Sequence, residues 1–179
     1  MADILYEDRL WKIMKEEADL PDGRVRVLNR VYARDSVHII AFTGKEKILL
    51  LREFRAFYGK WVWMLPSGKA DKENDLRTAA QRELQEETGF RAKILKPYFS
   101  MRHSENVVLT NHVFLAEGLE PAPLQQDEHE LIEVHEIPFK EALEKALQGS
   151  SIEHTPTAFA LLRYAVESAL IGSDRQGIV

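Results

Sequence analysis

One stretch constrains the fold more than any other: Gly68–Phe90, which reads GKADKENDLRTAAQRELQEETGF. It follows an apolar, aromatic run, WVWMLP, that predicts a short strand. Asn74 and Asp75 are both favourable N-cap residues, and Gly89 suits the position just past a helix end, so a helix is predicted over about residues 75–88. Small and apolar residues recur on one side of this helix, which must therefore pack against an apolar layer.

The same helix carries three glutamates on one face. Glu83, Glu86 and Glu87 stand at i, i+3 and i+4, so their carboxylates are neighbours on the helix surface. Carboxylate oxygens suit a hard divalent cation such as Mg²⁺, which often keeps water and phosphate oxygens among its ligands. Like charges at this spacing cost a solvated helix only about 0.2–0.5 kcal/mol, so these residues alone leave a plain solvent-exposed acidic face open as the alternative.

Composition excludes several other classes of function. The 179 residues suffice for one domain with its own core, and the formal net charge of -5 argues against a nucleic-acid polymer or an anionic membrane as a partner. There is no cysteine, which removes disulfides, thiolate catalysis and iron–sulfur clusters together. The N-terminus is charged from its third residue and has no apolar signal segment, and no run reaches membrane-spanning length, so a cytoplasmic location is expected.

The rest of the chain is dominated by strand patterns. Residues 4–32 predict two strands joined by a turn at DLPDGR, and this hairpin is either an edge ribbon of the main sheet or an arm exchanged with a second subunit. Further strands are predicted at SVHIIAF, ILLLREF, WVWML, FRAKILKPYFSM, NVVLTNHVFLAEGL and LIEVHEIP.

Two helices are predicted to close the chain. PFKEALEKALQG has a helical apolar spacing ended by Gly149, and PTAFALLRYAVESALIG has Pro156 in its first turn. The order of strands, one acidic helix, more strands and then two helices predicts an α/β fold of the mixed α+β kind, in which helices cover both faces of a mixed sheet. The predicted divisions are an N-terminal β arm over residues 1–34, a main domain over residues 35–172 and a flexible tail over residues 173–179.

The acidic face has neighbours in a fixed order, G-x13-R-E-L-x-E-E-x-G-F, formed by Gly68, Arg82, Glu83, Glu86, Glu87 and Gly89. This order resembles the signature of the Nudix hydrolases. LPSG before the helix, LLREF ahead of it and DEHELIEV after it resemble the ADP-ribose and nucleotide-sugar pyrophosphatases of that family. The resemblance spans nearly the whole chain and implies an α-β-α sandwich with a mixed central sheet.

The same resemblance implies a function. A Mg²⁺-dependent hydrolase is expected, with Mn²⁺ able to replace Mg²⁺, that cleaves the pyrophosphate bond of a nucleoside diphosphate sugar. ADP-ribose is the first choice of substrate, and the products are a nucleoside monophosphate and a sugar phosphate. Because the relatives exchange their arms, a homodimer is expected. The alternatives are GDP-mannose or a dinucleoside polyphosphate as substrate, and a Nudix-fold binding module without catalysis.

The metal site follows from the family pattern. By the resemblance, the ligands are the backbone carbonyl of Ser67 and three helix glutamates: Glu83, Glu86 and Glu87. Arg82 is expected to pair with Glu86 at i, i+4 and to orient it, and is counted with the catalytic residues.

The catalytic base is expected in the acidic loop DEHE, as in the ADP-ribose pyrophosphatases. Glu128 is the first choice, Glu130 the second and Asp127 the third, and a plain solvated loop is the alternative.

One position departs from the family pattern. Asn74 stands where the family has its first glutamate. Asn74 keeps N-cap chemistry and removes one negative charge, so activity is expected to survive with weaker metal binding.

Substrate contacts are expected from two arginines and an aromatic residue. Arg52 and Arg55, at the end of a strand, suit phosphate oxygens, with a charged sheet edge as the alternative. The base is expected to stack on Tyr32, Phe57 or Trp61, each of which is equally consistent with a core position. The segment IEHTPTAF lacks the Asp-x-Lys pair that nucleotide-sugar relatives can carry, which favours ADP-ribose.

Overall fold

The computed structural model describes residues 3–70, 75–147 and 154–174. The strands are β1 (Asp3–Glu7), β2 (Lys12–Asp19), β3 (Val25–Tyr32), β4 (Ser36–Phe42), β5 (Lys47–Arg55), β6 (Lys60–Met64), β7 (Ser67–Lys69), β8 (Phe90–Arg102), β9 (Val107–Val108), β10 (Thr110–Pro121) and β11 (Ile132–Pro138). The helices are α1 (Leu76–Thr88), α2 (Phe139–Leu147) and α3 (Thr155–Asp174).

Seven strands form a mixed central sheet, as predicted. Its path runs β11-β5-β4-β10-β8, with β6 paired to β5 and β7 paired to β4. β4 and β10 are parallel, whereas the other neighbouring pairs are antiparallel. The pairing of β7 with β4 sets Ser67 opposite His38 and Gly68 opposite Val37, which anchors the segment just before the acidic helix.

Helices cover both faces of this sheet, and this prediction is also confirmed. Along β4, Ile39 belongs to the apolar cluster under α1, whereas the next residue, Ile40, belongs to the cluster under α2 and α3. Both side chains are fully buried, as expected for a strand covered on two sides. The α1 side chains in the first cluster are small or apolar, as the sequence predicts: Ala79, Ala80 and Leu84, with Leu76 packed against them.

The N-terminal arm differs from its prediction. It contains three antiparallel strands, β1, β2 and β3, and β3 pairs with β9 in a sheet separate from the central one. Both the count of two strands and the alternative of an edge ribbon on the main sheet are therefore wrong. Asp8 ends β1, because its Oδ1 accepts hydrogen bonds from the backbone N–H groups of Leu10 and Trp11 at 2.7 Å each. Exchange of the arm with a second subunit stays a prediction.

Two other elements differ in detail. β7 is not predicted by the sequence pattern, because its three residues are too few to show an alternation. The predicted strand NVVLTNHVFLAEGL is divided into β9 and β10 at Leu109, whose N–H donates to the carbonyl of Val107 at 3.1 Å.

Some predictions concern the ends of elements. α3 continues to Asp174, past the predicted domain end at residue 172. Asn74, Gly149 and residues 175–179 of the predicted tail lie outside the described residues. Within the part of the chain that the structure describes, no helix is long and apolar enough to cross a membrane.

Candidate active site

Helix α1 begins and ends where its sequence predicts. Asp75 is the N-cap, and its Oδ2 accepts hydrogen bonds from the backbone N–H and the hydroxyl of Thr78 at 2.9 Å each. Gly89 follows the helix with a φ of 78°, a left-handed conformation that favours glycine, and its N–H donates to the carbonyl of Gln85 at 3.1 Å. These two ends fix which helix side chains face β7.

Glu83 lies directly against the backbone of β7. A Cβ atom built at Gly68 would lie 2.1 Å from Cδ and 2.2 Å from Oε1 of Glu83. No side chain fits at position 68 unless the carboxylate moves, so the close approach requires glycine. Glu83 is only 9% exposed, which makes it a buried acid rather than part of a solvated face.

Glu87, one turn further along the helix, is also buried and bound to β7. It is 5% exposed, and its Oε2 accepts a hydrogen bond from the backbone N–H of Ser67 at 2.7 Å. Two of the predicted metal ligands thus meet the short strand that contains Ser67. The Ser67 carbonyl as a further ligand stays a prediction.

The electrostatics of these two acids fit a cation. Burial raises the pKa of Glu83 to about 7, and it raises the pKa of Glu87 well above the ordinary value. The Ser67 N–H opposes the shift at Glu87, whereas the charge of Glu83 adds to it. Adjacent buried carboxylates are costly as anions unless a positive charge compensates them, and oxygen ligands suit a hard divalent cation.

The carboxylates are close to one another without forming a finished metal cage. Among residues 3–70, 75–147 and 154–174, no three His, Asp or Glu side chains stand close enough to enclose a metal ion as they are. The carboxylate donors, and the close approach of Glu83 to Gly68, fit a hard divalent cation. Binding of this ion would require the carboxylates to turn towards it.

Arg82 joins two of the glutamates. Its Nη1 lies 2.6 Å from Oε2 of Glu86, and its Nη2 lies 2.8 Å from Oε1 of Glu83. Nη2 also donates to the carbonyl of Lys69 at 3.3 Å, which ties the helix to the end of β7. The predicted i, i+4 pair is present, and Arg82 holds a second acid that the prediction did not include.

The acidic loop between β10 and β11 reaches the helix through Glu130. Burial is the largest cause of the raised pKa of Glu130, and the charges of Glu53 and Asp127 raise it further. The charge of Glu130 in turn helps to raise the pKa values of Glu83 and Glu87 on α1. Glu128, the first choice as base, has a side chain that is 86% exposed and lies 3.7 Å from Nε2 of His129. Glu130 is therefore half-buried and near enough to the acids of α1 for its charge to raise their pKa values, whereas Glu128 faces solvent.

Glu53 is a buried acid that the sequence reasoning missed. It lies on β5 and is 4% exposed, and its Oε1 is 2.6 Å from Nη1 of Arg55. Its charge adds to the raised pKa values of Glu87 and Glu130, so it belongs to the same group of acids. The sequence does contain an indication that Glu53 is buried. Side chains alternate between the two faces of a strand, so Glu53 lies on the same face as the buried Leu51, two residues earlier.

The two predicted phosphate arginines have different surroundings. Arg55 pairs with Glu53 and so lies with the buried acids. Arg52 pairs instead with Glu133 on β11 at 3.1 Å, and its guanidinium carbon lies 5.0 Å from the ring centroid of Trp61. Residues three apart on a strand point to opposite faces, which explains why the structure does not bring the two arginines together.

The candidate stacking residues are also dispersed. Tyr32 lies in the arm, where its hydroxyl donates to Glu16. Trp61 packs edge-on against Phe54, with ring centroids 5.9 Å apart. Phe57 is 94% exposed in the turn after β5. Stacking on the base therefore stays a prediction for each ring.

Known proteins share this chain's pattern. The NUDIX domain profile matches residues 32–157. The ADP-ribose pyrophosphatase of Bacillus subtilis is 30% identical over 172 residues, which cover 93% of this chain and 91% of that relative. The GDP-mannose pyrophosphatase of Cronobacter sakazakii is 32% identical over 142 residues, which cover 72% of this chain and 73% of that relative.

A solved structure shares the fold. The crystal structure of an ADP compounds hydrolase has a TM-score of 0.80 and 23% sequence identity, and the match covers 100% of this chain and 95% of that chain. The predicted fold is therefore confirmed. Because the family profile covers most of the chain, including β7, α1 and the acidic loop, the chain belongs to the Nudix family and is a Nudix hydrolase related to the ADP-ribose pyrophosphatases.

Proposed function

We propose that this Nudix hydrolase cleaves the pyrophosphate bond of ADP-ribose, a nucleoside diphosphate sugar, with Mg²⁺ as its cofactor. The products are a nucleoside monophosphate and a sugar phosphate. The observation that carries the proposal is the pair of buried carboxylates, Glu83 and Glu87, held against the backbone of β7. ADP-ribose is favoured over GDP-mannose because the ADP-ribose pyrophosphatase relative matches 93% of the chain and the GDP-mannose pyrophosphatase relative 72%.

The proposed metal ligands are the Ser67 carbonyl and the carboxylates of Glu83, Glu86 and Glu87. When bound, Mg²⁺ or Mn²⁺ supplies positive charge to the diphosphate oxygens and lowers the pKa of a water molecule. Because burial raises the pKa of Glu83 to about 7, a proton competes with the cation for this carboxylate near neutral pH. Arg82 keeps Glu83 and Glu86 in place while the cation binds.

The loop acids have separate proposed roles. Glu128 is the general base that takes a proton from the attacking water, since its side chain is exposed and free to approach a bound substrate. Its exposure in the ligand-free protein is compatible with this role, because catalytic contacts often tighten only in the substrate complex. Glu130, which is half-buried, adds negative charge to the cation site.

The substrate contacts are proposed from the arginines and the arm. Arg55 binds phosphate oxygens, and Arg52, stacked on Trp61, binds the substrate from the other side of β5. Tyr32, at the end of β3 in the arm, is proposed to reach the substrate of a second subunit, and this role depends on a homodimer. The exposed arm residues Trp11 and Val25, 45% and 57% exposed, favour such an association.

Light scattering at micromolar concentration should therefore give the mass of a dimer, and a monomer would contradict the arm proposal. The cytoplasmic location stays a prediction from the sequence.

A substrate panel tests the function. The full chain is assayed with ADP-ribose, GDP-mannose, UDP-glucose and a diadenosine polyphosphate, each with Mg²⁺, with Mn²⁺ and with a chelator. ADP-ribose should give the highest kcat/KM, with AMP as the nucleotide product and no turnover in chelator. A higher kcat/KM for GDP-mannose would make GDP-mannose, rather than ADP-ribose, the proposed substrate. A complete lack of metal-dependent turnover of any diphosphate would refute hydrolysis and favour a binding module.

A further inference from the structure

Strand β5 carries ion pairs in two contrasting settings. At its start, Lys47 pairs with Glu136 on β11 at 2.7 Å, and the two side chains are 54% and 45% exposed. At its end, Arg55 pairs with Glu53 at 2.6 Å, but here the acid's side chain is only 6% exposed and the arginine's 41%. The second pair thus joins a buried carboxylate to a guanidinium that still reaches solvent.

A buried carboxylate is costly unless a cation compensates it, so Glu53 requires Arg55. The dependence also runs the other way. The charge-assisted hydrogen bond from Nη1 of Arg55 to Glu53 holds one edge of the guanidinium. Because the guanidinium is planar, this bond also sets the direction in which its remaining N–H groups point. Without Glu53, nothing on strand β5 itself would hold that direction.

The position of the pair relates it to the proposed active site. The N–H of Phe54, between the two paired residues, donates to the carbonyl of Leu131 at 3.0 Å, which ties this end of β5 to the acidic loop. The Arg55 charge lowers the pKa of Glu130 and of His154, and the Glu53 charge raises that of Glu87. The Arg55 charge therefore acts on groups in the acidic loop and just before α3, and its partner Glu53 is one of the buried acids.

We propose that Glu53 is a positioning residue for substrate binding: it holds the Arg55 guanidinium so that the exposed part of this side chain meets the phosphate oxygens of the substrate. This proposal rests on the proposed function, and no family signature residue is involved. It makes an unexpected prediction, because removing a negative charge near a bound diphosphate should by simple electrostatics improve binding. If Glu53 positions Arg55, its removal weakens binding instead.

The test compares Glu53→Gln with Glu136→Gln, which removes the exposed acid on β11 that pairs with Lys47 at the other end of β5. Steady-state kinetics are measured on the full chain with ADP-ribose and saturating Mg²⁺. Glu53→Gln should raise KM about tenfold and change kcat less than about threefold, whereas Glu136→Gln should change neither by more than about twofold. An unchanged or lowered KM in Glu53→Gln would overturn the proposal.

A double-mutant cycle shows whether the effect passes through Arg55. Arg55→Lys should raise KM as well, and adding Glu53→Gln to it should give little further increase, because the two changes remove one arrangement. Independent, multiplying effects would contradict the positioning role. If Glu53→Gln does not fold, Glu53→Asp replaces it: the charge stays but the carboxylate withdraws by one methylene, and the same rise in KM is expected.

A separate readout distinguishes this proposal from the proposed function. If the wild type hydrolyses no diphosphate, the proposed function fails. The side-chain Nε–Hε NMR resonance of Arg55 in the ligand-free protein then tests separately whether Glu53 holds the Arg55 guanidinium in place. That resonance should shift in Glu53→Gln and stay in place in Glu136→Gln. An Arg55 resonance that is the same in all three proteins would overturn the positioning role whatever the enzyme's activity.

Discussion

On helix α1, Glu83 and Glu87 are 9% and 5% exposed and both rest against β7, whereas on the loop between β10 and β11 the Glu128 side chain is 86% exposed. Before any ligand binds, Arg82 and the Ser67 N–H hold the helix acids beside β7, and cation binding then requires their carboxylates to turn towards the ion. Buried acids grouped on one helix face suit a cation that compensates their charge, and an exposed loop acid suits a proton transfer that occurs once substrate is bound. Burial, rather than residue type, separates the two proposed roles.

The largest effect is expected from the helix. Glu87→Gln keeps the shape and an acceptor for the Ser67 N–H but removes the charge, so kcat/KM for ADP-ribose should fall about a thousandfold, or about 4 kcal/mol. The Tm without metal should not fall, because the variant no longer buries a carboxylate. Glu141→Gln on α2, an exposed partner of Lys145, is the control and should keep full activity. A loss of less than about tenfold in Glu87→Gln would place the cation elsewhere.

The next effect separates the loop acids from the helix acids. Glu128→Gln should lower kcat about a hundredfold and leave the Mg²⁺ concentration for half-maximal activity unchanged, because the base does not touch the ion. Glu130→Gln should raise that Mg²⁺ concentration. Titrations of activity against Mg²⁺ for both variants measure the contrast. If only Glu130→Gln loses kcat, the base is Glu130 and the assignment to Glu128 is wrong.

A smaller effect should come from the strand beneath the helix. Gly68→Ala places a methyl group 2.1 Å from Cδ of Glu83, so the carboxylate must shift. We expect a fall of about tenfold to a hundredfold in kcat/KM and a loss of about 1–3 kcal/mol in the free energy of unfolding. Gly44→Ala, in a turn where an added Cβ meets nothing within 4 Å, should leave both quantities unchanged. Equal behaviour of the two variants would contradict the close approach.

The smallest effect concerns stability and pH. The pKa of Glu83 rises from 4.5 to about 7 on folding, so the stability from its protonated form is present below about pH 4.5 and lost as pH rises through about 7. Buried His38 and His154 have lowered pKa values, so their contribution to stability increases with pH, opposite to that of Glu83. Comparing the wild type with Glu83→Gln cancels the contribution of these histidines. The metal-free Tm of this variant minus that of the wild type should grow by a few degrees between about pH 5 and about pH 8. A difference that does not change with pH would contradict the raised pKa.

Local chemistry explains what the sequence predicts well. Helix α1 was predicted to within a residue because Asp75 and Gly89 determine its ends without help from distant parts of the chain. The separate arm sheet depends instead on pairing between β3 and the distant Val107–Val108, and a local pattern does not contain that information. The turn at Asp8 was locally encoded, since Asp accepts hydrogen bonds from N–H groups that follow it, but the mixed pattern around it obscured the division of β1 from β2.

The site shows the same division. Glu83, Glu86 and Glu87 share a face through helix spacing alone, so the sequence was enough to group them. Glu53 joins them only because β5 lies beside the helix and loop in the folded sheet, and its neighbours Arg52 and Arg55 suggest a charged edge when read in order. The difference in exposure between Glu128 and Glu130 likewise depends on how the loop folds, which two acidic positions separated only by His129 do not reveal.

The most direct test of the central claim is the initial rate of AMP release from ADP-ribose as a function of Mg²⁺ concentration, measured for the wild type and for Glu87→Gln. The wild type should show no release in chelator and a saturable rise with Mg²⁺, and Glu87→Gln should show almost none over the same range. Release by the wild type in chelator, or the same Mg²⁺ dependence in both proteins, would contradict a cation site built on the buried acids of α1.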